Sequence, residues 1–105
     1  MAGSKRDRVK GVRPERILVE RVQTGVRLEK RLLKVLKTLA EYHDITLGDL
    51  IEGIVLHVFE GKLPFDQANL RRITQLRQFY GLELSADASH RLYEQRGAVP
   101  KGGKQ

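Results

Sequence analysis

The chain has 105 residues, twenty Lys or Arg against thirteen Asp or Glu, a net charge of +7 and no cysteine. That length holds one small domain and excludes the large α/β enzyme architectures, and the missing thiols exclude a disulfide framework or a thiolate metal site. The charged opening, MAGSKRDRVKGVRPER, lacks the apolar stretch of a signal peptide, and no apolar run reaches the ~20 residues of a membrane span. The expectation is a cytoplasmic protein with an acidic partner such as nucleic acid, and with no membrane contact.

The position of the charge says more than its sum. Residues 1–21 carry seven Lys/Arg against three Asp/Glu, residues 22–61 five against six, and residues 62–105 eight against four. The flanks are therefore each +4 and the apolar middle is −1. Residues 1–15 lack periodicity and are interrupted by Gly3, Gly11 and Pro14, which predicts a flexible basic arm. Residues 97–105 read as a short basic tail.

Residues 16–28 predict a strand, with Val22, Thr24, Val26 and Leu28 on one side and Arg21, Gln23, Gly25 and Arg27 on the other. Valine and threonine favour that conformation. A single strand cannot satisfy its own backbone, so the expected partner is the same strand of a second copy.

A first helix is predicted over 29–43, with Leu32, Leu33, Val35, Leu36, Leu39 and Ala40 as its apolar face. Lys30, Arg31, Lys34 and Lys37 read as its solvated side. Asp44 is placed to take the left-handed conformation in the turn that follows. A second helix is predicted from Thr46, where Thr46-Leu47-Gly48-Asp49 comes close to a capping box. It is apolar around most of its circumference, which predicts burial by a partner chain as well as by the first helix. Gly53 in its interior predicts a close backbone approach, and Gly61 and Pro64 end it.

Asp66 is placed to cap a third helix over 67–80, stopped by Gly81. Ser85 is placed to cap a short fourth over 86–95, anchored by Ala88 and Leu92. Arg71, Arg72 and Arg77 read as solvated. Tyr42, Tyr80 and Tyr93 are too far apart in sequence to read as a base-stacking set.

Strand, helix, tight turn and helix within Val22 to Val55, VQTGVRLEKRLLKVLKTLAEYHDITLGDLIEGIV, resemble the ribbon-helix-helix family. The resemblance covers about a third of the chain. It implies a mainly α fold with one N-terminal strand, in an intertwined homodimer with an intermolecular two-stranded antiparallel sheet, to which one or two C-terminal helices are added. Residues 16–61 would be the dimerisation and DNA-binding domain and 62–96 a helical extension.

The resemblance further implies that the strand pair enters the major groove of double-stranded DNA. Arg21, Gln23, Gly25 and Arg27 would face the bases, and Thr46, Leu47 and Gly48 would hold a backbone phosphate. Arginine can bond bidentately to guanine and glutamine to adenine, and a helix N-terminus favours a phosphate. Gly25 has no side chain to read with, so weak sequence selectivity is expected. Lys5, Arg6, Arg8, Lys10 and Arg13 of the arm are candidates for further phosphate contacts.

The expected function is that of a transcriptional regulator, a repressor acting by promoter occlusion. The alternative is a protein-interaction module such as an antitoxin or adaptor, with a partner on residues 62–95. A helix-turn-helix reader fails because the second helix has no Lys or Arg from Thr46 to Gly61. His43, His57 and His90 form no ligand cluster, and Ser85, Ser89 and His90 lack the context of a hydrolase, so neither metal, cofactor nor enzyme activity is expected.

Overall fold

The computed structural model describes residues 15–95. Three α-helices follow a limb, residues 15–29, without regular secondary structure: α1 (Lys30–Tyr42), α2 (Leu47–Phe59) and α3 (Gln67–Tyr80). A single turn of 3-10 helix, Ala86–Ala88, lies in the segment after α3.

Each α-helix begins on a side-chain cap. Glu29 Oε1 accepts the Leu32 N–H at 2.7 Å, Thr46 Oγ1 the Asp49 N–H at 3.0 Å, and Asp66 Oδ1 the Asn69 N–H at 2.9 Å. These bonds satisfy donors that a helix start leaves without an internal partner. All three helices also end alike. The N–H of Ile45 returns to the Ala40 carbonyl, that of Lys62 to His57 and that of Leu82 to Arg77. The residue just before each returning donor, Asp44, Gly61 and Gly81, has a positive φ of 59°, 72° and 71°. This is the Schellman arrangement, and Asp44 holds at greater steric cost the place that glycine takes twice.

Leu39, Ala40 and Leu50 form the centre of the core, with Leu36, Ile54, Phe65, Ile73 and Leu76 packed around them. The apolar stripe of α1 thus meets both α2 and α3, which lie on it from two sides. Leu82, just past α3, is buried too and pins the exit of that helix.

The expected strand over 16–28 is not formed. Among the described residues there is no strand, and no backbone bond pairs this limb with another segment. An extended chain needs a neighbouring backbone to build a ladder, and the described residues offer none. The ribbon-helix-helix architecture, with its intertwined dimer and intermolecular sheet, is corrected accordingly to an irregular limb followed by three helices. The predicted helix over 86–95 is corrected to the one 3-10 turn. Ser85 makes no capping bond, and His90 turns to a φ of 67°, which breaks helical continuation. The close backbone approach expected at Gly53 is not met among the described residues: a Cβ there would meet nothing within 4 Å beyond its own helix.

Candidate nucleic-acid interface

The limb places Arg21, Gln23, Gly25 and Arg27 on exposed backbone without regular secondary structure, but the two arginines are not free. Arg21 forks onto Glu52 of α2, Nε to Oε2 at 2.8 Å and Nη2 to Oε1 at 2.7 Å. Arg27 forks in the same way onto both carboxylate oxygens of Glu94. The two ends of the stretch from Arg21 to Arg27 are therefore tied to two different segments. Hydrogen bonding, reinforced by charge, raises the pKa of both guanidiniums and holds the Glu52 carboxyl below its ordinary value. Both pairs remain wet, with the Arg21 side chain 64% exposed and Glu52 44%. Exposed pairs of this kind exchange readily with solvent and with competing anions.

Gly25 lies between these ties in open space. No packing among the described residues demands glycine there.

At the start of α2 the Thr46 side chain is spent on its cap. The N–H groups of Leu47 and Gly48 belong to the first turn, where a helix has donors to offer an anion. Asp49 sits in that same turn and opposes an anion with its own charge. Thr46, Leu47 and Gly48 thus stand at the start of α2 with the Asp49 carboxylate beside them. Lys5, Arg6, Arg8, Lys10 and Arg13 lie outside the described residues.

A second cationic surface was hidden from sequence reading. Helices α1 and α3 run antiparallel, and a row of polar contacts follows their seam. Thr38 and Tyr80 share a hydroxyl–hydroxyl hydrogen bond of 2.8 Å, and the Lys34 ammonium stands 5.8 Å from the Tyr80 ring centroid. One turn further along α1, the Arg72 guanidinium stacks 3.7 Å from the Tyr42 ring centroid and reaches its hydroxyl at 2.7 Å. Arg72 also donates to Asn69 Oδ1 at 2.9 Å, and His43 Nε2 meets the same oxygen at 2.8 Å. An arginine can only donate, so the shared atom is the amide oxygen and His43 Nε2 carries a proton. At the other end, Arg31 Nε lies near Gly81.

The reading of these arginines and lysines as a merely solvated face is therefore incomplete. Arg72 and Arg77 are half-buried, and Arg77 donates to the Leu84 carbonyl at 2.7 Å. Tyr42 and Tyr80, distant in sequence, line one seam. The signal that could have found them is the spacing of Arg31, Lys34, Thr38 and Tyr42, one residue per turn along one edge of α1.

His57 is exposed and bonds the Gly53 carbonyl through Nδ1 at 2.7 Å. No helix among the described residues is long and apolar enough to cross a membrane. No protein-family model, curated protein or solved structure matches the chain.

Proposed function

We propose that this protein is a double-stranded DNA-binding regulator, a weakly selective repressor that works as a homodimer. The observation that carries the reading is the exposed limb, which carries Arg21, Gln23 and Arg27. Guanidinium and amide groups are the donors suited to guanine and adenine edges in the major groove. The ties to Glu52 and Glu94 are exposed and exchangeable, so a nucleic acid can replace the carboxylates. The bare Gly25 between them keeps the number of reading side chains small, and selectivity with it.

The second copy is supported by apolar surface this chain leaves open. Leu56, Val58 and Phe59 of α2 are exposed, Phe59 at 79%, and so are Ile17, Leu18, Val22 and Val26 of the limb. Exposed apolar area of this extent on one small chain marks a surface that is covered in the working molecule.

A salt-titrated selection from random duplex pools tests the reading. The wild type is expected to enrich a short motif with a steep salt dependence. Arg27→Ala is expected to relax the preference at one base position. Unchanged affinity and preference in that variant would remove the limb from the interface.

A second reading, a protein-interaction module such as an antitoxin or adaptor, is favoured by Leu63, Leu70, Phe79, Leu92 and Tyr93, all exposed within residues 62–95. A wild type that binds no duplex even at low salt, and co-purifies with a protein in the absence of DNA, selects this reading instead.

A further inference from the structure

We propose that the seam between α1 and α3 is a docking strip for the sugar–phosphate backbone of a DNA duplex, separate from the limb that reads bases. The inference rests on the DNA-binding reading above and assigns that partner a second surface.

Charge argues for it first. Helices α1 and α3 together hold seven Lys or Arg (Lys30, Arg31, Lys34, Lys37, Arg71, Arg72, Arg77) and one carboxylate, Glu41. Their sum is therefore 7 − 1 = +6, beside a whole-chain charge of +7. None of the seven forms an ion pair among the described residues, whereas Arg21, Arg27 and Lys62 do. An excess of six positive charges on two packed helices, with Glu29 the carboxylate acting on Arg31, creates a field that favours a polyanion.

Arrangement argues for it second. Arg31, Lys34 and Arg72 follow one line, with Thr38, Tyr42 and Tyr80 between them. From Arg31 to Tyr42 the row spans roughly 16 Å of helix axis. The row offers three cations, Arg31, Lys34 and Arg72, to a phosphate backbone. Arg72 is held in place by Asn69 and the Tyr42 ring, and Lys34 is supported by Tyr80, so these cations are partly ordered before any ligand arrives. A cation fixed in advance loses less freedom when it meets a phosphate. None of these contacts can tell one base from another, so the strip adds affinity without adding selectivity.

The test compares two variants that each remove two positive charges from the full-length protein. One is Arg31→Gln with Lys34→Gln on the seam. The other is Lys62→Gln with Arg91→Gln, off it. Binding to a mixed-sequence duplex is followed by fluorescence anisotropy over a salt series, with a thermal melt of each variant. The seam variant is expected to lose about tenfold in affinity at low salt and to lower the salt slope by about 2, with its selected motif unchanged. The off-seam variant is expected to stay close to wild type. A charge-preserving swap, Arg31→Lys with Lys34→Arg, is expected to keep wild-type binding, which separates lost phosphate contacts from a disturbed fold. Equal losses in the two neutralised variants overturn the strip and leave a general effect of net charge. A wild type with no duplex affinity overturns the DNA-binding reading itself, and the strip with it.

Discussion

Helices α1 and α2 have the same length and lie against each other, yet they use their apolar residues in opposite ways. Helix α1 is studded with four cations and still buries Val35, Leu39 and Ala40. Helix α2 has no Lys or Arg, carries far more apolar surface, and buries only Leu50. Leu39 is 1% exposed and Leu56 62%. Hydropathy therefore does not predict burial within this chain. The difference lies in neighbours: α1 packs against both α2 and α3, while α2 packs against α1 alone among the described helices. The chain is thus divided into a finished part, α1 with α3, and an unfinished part, the outer face of α2 with the limb.

Paired truncations break that comparison most forcefully. Leu39→Ala is expected to cost about 2–5 kcal/mol, from lost transfer energy and the cavity it leaves in a closed core. In an isolated chain Leu56→Ala costs within about 0.5 kcal/mol, as exposed substitutions do. If a second copy covers α2, the same change is expected to cost about 1–3 kcal/mol, and denaturation midpoints rise with protein concentration. Urea melts at two widely separated concentrations measure both effects. Midpoints independent of concentration, with a silent Leu56→Ala, would show that α2 stays uncovered and would remove the homodimer from the proposed function.

The caps sharpen the same contrast on a smaller scale. Thr46→Ala removes the cap of α2 and is expected to cost about 1 kcal/mol. Tyr80→Phe removes the seam bond to Thr38 and is expected to cost about 1 kcal/mol as well, because Thr38 is then left partly buried with one partner fewer. Hydrogen exchange separates the two. The first change is expected to speed exchange at the start of α2 and the second along α1 and α3.

Local signals in the sequence located the helices well, because each one starts and stops on its own chemistry. Thr46, Asp66, Gly61, Gly81 and even Asp44 act within a few residues of where they stand, so no knowledge of the rest of the chain is needed. Glu29 was overlooked as a cap because a glutamate is an unusual choice there. The limb misled for the opposite reason. Alternation of Val22, Thr24, Val26 and Leu28 describes what a strand would present, but pairing depends on a second backbone, which a one-chain pattern does not contain. Ser85 marked a helix start and failed because the chain turns away at His90. The seam of Arg72 on Tyr42 and Tyr80 on Thr38 was illegible since its members lie 30 and 42 positions apart. Only the antiparallel packing of α1 and α3 brings them together.

The smallest expected effect concerns the joints where the limb meets the helices. Glu29 is held below its ordinary pKa chiefly because its carboxylate accepts the Leu32 N–H, and Glu52 because it accepts from Arg21. A carboxyl with a depressed folded-state pKa stabilises the fold fully above its unfolded value. That stabilisation is lost as the pH falls through the lower, folded value. Stability is therefore expected to decline on acidification through and below the ordinary carboxylate range, with no change from these groups near neutrality. Glu29→Gln is expected to flatten the part of the decline that belongs to the start of α1. Glu52→Gln should leave α1 unaffected while freeing Arg21 from α2, so its signature is a more protease-sensitive limb with nearly unchanged melting. If Glu52→Gln lowers the melting temperature as much as Glu29→Gln does, the limb belongs to the finished part of the chain, and the division drawn between the two regions fails at that joint.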